Sequence, residues 1–184
     1  MSFTFTSLEI PGLILARPTR RNDSRGSFME TFKASLFAEA GIADPFVQDN
    51  LVRSTRDVLR GLHYQIPPHA QGKLVHVVRG EIFDVAVDLR RDAPTFGKWA
   101  GYNLSDSTGE ILWIPPGFAH GYVVLSDISD VSYKVTCEYD PLLDRGVRWD
   151  DPSLDIDWPV DHPVLSTKDR ALPLLADADN PFGS

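Results

Sequence analysis

The stretch Phe83–Leu89 constrains this chain most. Phe83, Val85, Val87 and Leu89 alternate with Asp84, Ala86 and Asp88. That is the two-residue period of a β-strand and not the 3.6-residue period of a helix. Val75 to Val78 precedes it across Arg79-Gly80-Glu81, a tight-turn sequence. Ile111 to Ile114, Tyr122 to Leu125 and Val131 to Tyr139 read as further strands. Turn signals separate them at Pro94, Ser107-Thr108-Gly109, Pro115-Pro116-Gly117 and Asp127 to Asp130. Short strands at this spacing predict a mainly β sandwich or barrel. One helix is expected over Lys33 to Ala40, stopped by Gly41. The last 25 or so residues, punctuated by Pro159, Pro163, Pro173 and Pro181, read as loop and short helical pieces. With 184 residues and no repeat or linker, one domain spanning 1–184 is expected.

Charge and composition exclude several roles. The net charge of −8 argues against a nucleic-acid partner, which needs a broad basic surface. It leaves room for a phosphorylated small molecule, for which a few cations in one cleft suffice. No run of 18 apolar residues exists to span a membrane, and no basic-then-apolar start marks a secretory signal. The single cysteine, Cys137, excludes an intrachain disulfide, favours a reducing compartment and reads as a small core residue. The expected location is the cytoplasm.

The candidate chemistry gathers in two blocks. In Leu59-Arg60-Gly61-Leu62-His63-Tyr64-Gln65-Ile66-Pro67-Pro68 a histidine lies between an arginine and a Pro-Pro turn, with Lys73 close behind. The second block, Leu112 to Gly121, ends in His120. A base beside cations at a barrel mouth suits proton abstraction next to a carbonyl on an anionic substrate. Gly109, five residues, Pro115-Pro116-Gly117, two residues and His120 resemble the second cupin motif. The metal ligands of the first are lost, because His63 is followed by Tyr64 and Gln65 rather than by a His-x-His pair. No metal is therefore expected. Of the five histidines, His69, His76 and His162 read as structural, and His63 and His120 as functional candidates. On one regular strand Tyr133 and Tyr139 would share a face at roughly 20 Å separation, so that one meets a sugar and the other stacks on a base. The alternative is that both are core aromatics.

Taken together, the motifs resemble the dTDP-4-dehydrorhamnose 3,5-epimerases over nearly the whole chain. The matching segments are Ile10-Pro11-Gly12-Leu13, Asp23 to Glu30, Gln48-Asp49-Asn50, Arg60 to Gln65, Gln71 to Val75, Asp84 to Arg90, Thr95-Phe96-Gly97, the block ending in His120, Tyr133-Lys134, Trp149 to Pro152 and Ser166 to Asp169. The resemblance implies a cupin-type jelly roll with a few short helices and an isomerase that needs no cofactor. It implies His63 as general base oriented by Asp169, Tyr133 as the acid on the opposite face, and Lys73 with Arg60 against the enolate oxygen. Arg25, Glu30, Gln48, Asn50, Arg60, His120 and Lys168 would line the site for a dTDP-4-keto-6-deoxy-hexose, and Tyr139 would stack on the thymine. Asp144 departs from the pattern, being a shorter acid where glutamate is expected in a binding position. The resemblance also implies a homodimer in which an N-terminal segment reaches the neighbouring site.

The competing readings are a mono-epimerase at C3 or C5, a ketoisomerase of a related sugar, a metal-dependent cupin enzyme and a noncatalytic sugar-binding cupin. Only the first two keep a role for His63, Asp169 and Tyr133 together.

Overall fold

A computed structural model describes residues 2–183. In chain order its strands are β1 (Phe3–Ser7), β2 (Ile14–Pro18), β3 (Arg21–Asp23), β4 (Gly26–Phe28), β5 (Gln48–Thr55), β6 (Leu59–Gln65), β7 (Lys73–Arg79), β8 (Glu81–Asp88), β9 (Trp99–Ser105), β10 (Ile111–Ile114), β11 (Phe118–Val124), β12 (Ile128–Val135) and β13 (Asp144–Gly146). Two short helices are α1 (Ala34–Glu39) and α2 (Thr167–Arg170). A six-stranded sheet, in the order β1-β2-β10-β7-β12-β5, packs on a five-stranded sheet, β13-β6-β11-β8-β9, and β3-β4 form a separate hairpin. The result is a cupin-type jelly roll.

Three apolar clusters hold it together. Between the sheets lie Leu13, Leu15, Val75, Val77, Leu112 and Val131 from one side and Ile82, Ala86, Leu104 and Val124 from the other. Helix α1 drops Phe37 onto the outer face of the larger sheet, against Phe3, Leu74 and Trp113. The C-terminal segment covers the outer face of the smaller sheet, where Leu154 and Ala178 meet Leu62, Val85, Val87 and Ala119. The alternation in β8 is therefore real, but neither face meets water. Its apolar face lies under the C-terminal segment, and Asp84 and Asp88 are both fully buried. Asp88 is paired with Arg90 (2.7 Å) and accepts a hydrogen bond from the Thr95 hydroxyl (2.6 Å).

The sequence reading needs correction at several points. The run Val131–Tyr139 is not one strand: β12 ends at Val135, because its ladder partner β7 begins at Lys73, opposite Val135. Thr136 and Cys137 instead bond back to Gly72 and Gln71. Cys137 is thus half-buried in a bend and not a core residue. Strand β11 begins at Phe118 rather than Tyr122, and the turn after it is shorter than Asp127–Asp130, since Ile128 already pairs with Thr55. The helix sits within the expected range, with Gly41 beyond it at φ 92°. Among the described residues no helix is long and apolar enough to cross a membrane.

Candidate active site

The site begins at an irregularity in β6. His63 pairs with His120 of β11, but Arg60 pairs with Tyr122, so three steps on one strand match two on the other. Residues three apart on a regular strand face opposite ways; a β-bulge brings them to one side. Arg60 and His63 thereby line the same cavity. Gly61 permits the close approach: it sits at φ 125°, and a Cβ there would clash with the Cα of Gly121 at 2.5 Å.

The cavity has a volume of about 320 Å³. Arg60, His63, Gln65, His120 and Tyr122 form the wall from the smaller sheet, and Val52, Lys73 and Tyr133 that from the larger. Gln71, Tyr139, Asp144, Ser166, Lys168 and Asp169 form much of the remainder.

Two histidines here hold carboxylates. His63 Nε2 lies 2.6 Å from Asp169 Oδ1. Asp169 belongs to α2, whose N-cap Ser166 accepts a hydrogen bond from the Asp169 amide. Burial pushes the Asp169 carboxyl up, but its bonds to His63 and Ser166 and the nearby Lys168 charge outweigh this and hold it below the usual carboxylate range. An ionised carboxylate only accepts, so Nε2 carries the hydrogen and the lone pair rests on Nδ1. His120 Nε2 lies 2.7 Å from Asp84 Oδ1. Burial pushes His120 below the usual histidine value, ahead of the upward pull of Asp84, and the charges of Lys73 and His63 push the same way. It is a neutral imidazole at pH 7. The other oxygen of Asp84 is buried with no hydrogen-bond partner among the described residues.

Lys73 is buried and donates to the His63 carbonyl at 3.1 Å. Burial lowers its pKa to about 8, against the opposing charges of Asp144 and Asp84. Tyr133 is raised by burial, which Arg60 partly offsets, so it stays a protonated phenol at neutral pH. Arg60 is fixed by Ser54 at 3.0 Å. At the other end Asp144 receives both the Tyr139 hydroxyl (3.0 Å) and the Lys168 ammonium. The Tyr139 ring is exposed, and its amide donates to Gln48, which in turn donates to Asn50. Among the described residues no group of three or more His, Cys, Asp or Glu converges as a metal site would.

Comparison with known proteins identifies this arrangement. The family model described as dTDP-4-dehydrorhamnose 3,5-epimerase matches residues 7–177. The chain belongs to that family. It is 52% identical to the dTDP-4-dehydrorhamnose 3,5-epimerase of Shigella flexneri, over 93% of this chain and 95% of that one. It is 53% identical to the Pseudomonas aeruginosa protein of the same name, over 95% and 97%. The crystal structure of a dTDP-6-deoxy-D-glucose-3,5-epimerase from Legionella pneumophila in complex with dTDP-4-keto-L-rhamnose is 48% identical and superposes with a TM-score of 0.91, covering 95% of this chain and 93% of that one.

Within this epimerase fold, nine of the residues singled out in the sequence line one cavity: Arg60, His63, Lys73, His120, Tyr133, Tyr139, Asp144, Lys168 and Asp169. Tyr133 and Tyr139 do not share one regular strand, because β12 ends at Val135 and the chain bends there. Gln48 and Asn50 stand beside the cavity on edge strand β5. Arg25 and Glu30 are elsewhere. Arg25 is 88% exposed on the β3-β4 hairpin and paired with Asp23 at 2.6 Å. Glu30 lies in a separate crevice with Ser2, Thr19, Arg21 and Phe28. Sequence reasoning missed Asp84 and Tyr122. The signal for Asp84 was present, as an acid inside an apolar strand; Tyr122 carried none beyond its place two residues after His120.

Proposed function

We propose that this isomerase inverts C3 and C5 of dTDP-4-dehydro-6-deoxy-D-glucose, giving dTDP-4-dehydro-L-rhamnose, without metal or redox cofactor. The observation that carries the reading is the His63–Asp169 pair sharing one cavity with Lys73 and Tyr133. The 4-keto group acidifies the C–H bonds at C3 and C5. His63 Nδ1 takes the proton, and the electron pair moves onto O4 as an enolate. Lys73, with Arg60, stabilises that oxygen where charge develops, which lowers the barrier more than it stabilises the ground state. Tyr133 returns a proton to the opposite face, inverting the carbon; His63 then releases its proton to solvent, Tyr133 regains one from solvent, and the sequence repeats at the second centre.

The remaining assignments follow the same reading. Lys168, His120, Gln48 and Asn50 bind the nucleotide sugar, Tyr139 stacks on the thymine, and Asp144 holds Lys168 and Tyr139 in place. Arg25 and Glu30, away from the cavity of their own chain, serve a neighbouring site in a homodimer. Residues 1–184 act as one domain, and the reaction takes place in the cytoplasm. The test is incubation with dTDP-4-keto-6-deoxyglucose in deuterated water. Deuterium at both C3 and C5 of an inverted product is expected. Label and inversion at one carbon alone would make the chain a mono-epimerase, and movement of the keto group a ketoisomerase.

A further inference from the structure

We propose that Tyr122 is a specificity-determining substrate contact whose phenolic hydroxyl donates a hydrogen bond to a hydroxyl oxygen of the bound hexose. This rests on the epimerase reading above and extends it to a residue that reading does not use. Tyr122 is only 4% exposed and its ring belongs to the apolar cluster between the sheets. Yet its hydroxyl is buried without a hydrogen-bond partner among the described residues. Ser54 comes near enough to the phenol to pull its pKa down by hydrogen bonding, short of a bond of normal geometry, and its Oγ accepts from Arg60 Nε at 3.0 Å. Leaving a buried donor unpaired costs free energy that a phenylalanine ring of the same shape would avoid. The fold satisfies a comparable phenol elsewhere, since Tyr64 donates to the Asp179 carbonyl at 2.7 Å.

The place of that hydroxyl suggests its partner. Tyr122 lines the cavity and pairs with Arg60 across the β-bulge. Gln65, at the other end of β6, pairs with Asp144, where Lys168 and Tyr139 gather. The anionic and aromatic parts of a nucleotide sugar suit that second end, which leaves Tyr122 with the hexose. Burial lifts its pKa to about 12, so it remains a donor across the working pH range and carries no charge.

Tyr122→Phe removes one oxygen and keeps the ring. The expected result is a free enzyme at least as heat-stable as the wild type, an unchanged melting shift with dTDP, a reduced additional shift with dTDP-glucose, and kcat/KM lower by about 2- to 12-fold, the range of one neutral hydrogen bond. A free variant that melts earlier or fails to fold shows that the hydroxyl serves the protein's own structure, and overturns the proposal. So does a variant matching the wild type in dTDP-glucose shift and turnover. The wild-type arm separates the two readings: a wild type that neither binds dTDP-glucose nor labels its substrate overturns the epimerase reading and this contact together, whereas an active wild type with an indistinguishable variant overturns the contact alone.

Discussion

His63 and His120 face each other on one rung of the β6-β11 ladder, and each holds a carboxylate at nearly the same distance, Asp169 at 2.6 Å and Asp84 at 2.7 Å. Their surroundings differ. The His63 side chain is 29% exposed and that of Asp169 5%, against 8% and 0% for His120 and Asp84. Asp169 arrives on α2 from the C-terminal segment, held by its own cap, while Asp84 is part of the same sheet as its histidine. The same two groups at the same spacing thus make a base open to the cavity in one place and a neutral, enclosed wall in the other. Access and burial, more than residue identity, decide which histidine can take a proton from a substrate.

Substitution of the two histidines gives the largest contrast. His63→Asn should lower epimerisation and solvent exchange together by about 10²–10⁴-fold, the usual cost of a lost general base, with a modest change in melting temperature. His120→Asn should show the opposite balance at saturating substrate, with KM raised by the lost sugar contact. It leaves the fully buried Asp84 without its partner and costs about 1.5–3 kcal/mol of stability, the range for a hydrogen bond to a charged group. Thermal melts and deuterium uptake on the two variants check this, and a His120→Asn protein of normal stability but abolished exchange would reverse the assignment.

Tyr133→Phe comes next. The His63 base remains, so deuterium exchange at the sugar should continue while inversion is lost, because the proton returns to the face it left. Product stereochemistry and deuterium content, read from one sample, decide it. Normal inversion would return Tyr133 to the role of a core aromatic.

Lys73 supplies a pH dependence. Its folded pKa is lowered from 10.5 to about 8, chiefly by burial. Activity that needs the ammonium should therefore fall about tenfold per pH unit above 8. Stability moves the other way. Between about 8 and 10.5 the unfolded chain binds more protons at this group than the folded one, so its contribution to stability rises with pH. Activity profiles beside melting curves over this range separate deprotonation from alkaline unfolding. Falling stability in step with activity would point to unfolding instead.

The sequence made parts of this molecule legible and hid others for physical reasons. Strands β7, β8 and β10 show clear apolar runs or alternation, whereas β5 turns Gln48, Asn50, Val52 and Ser54 one way and exposes Asp49, Leu51, Arg53 and Thr55 the other, so polarity does not mark its faces. In β8 the polar phase of the alternation points between the sheets and delivers Asp84 to His120. Period alone says which residues share a face, not which face meets water. The catalytic block was visible as a local cluster at Arg60, His63 and Lys73, but the bulge that aligns Arg60 with His63 depends on two glycines from different strands, Gly61 and Gly121, meeting in space. Asp169, 106 positions from His63, entered only through the family resemblance.

The smallest effect distinguishes the two aspartates themselves. Asp144 and then Asp84 are the charges that support the Lys73 ammonium against burial, whereas Asp169 is not among its principal influences. Asp84→Asn removes a negative charge but retains an oxygen able to accept from His120. Without that charge the ammonium loses its proton more readily, so the alkaline limb of the activity profile should move below pH 8. Asp144→Asn should move it farther in the same direction, in keeping with the order of the two influences. Asp169→Asn should leave the limb in place and lower the plateau, because it misorients the His63 imidazole without deleting it. The shifts are fractions of a pH unit, so full kcat profiles of the three variants and the wild type are needed. A limb that moves with Asp169→Asn and stays put with Asp84→Asn would mean that the open pair, not the enclosed one, controls the charge of Lys73.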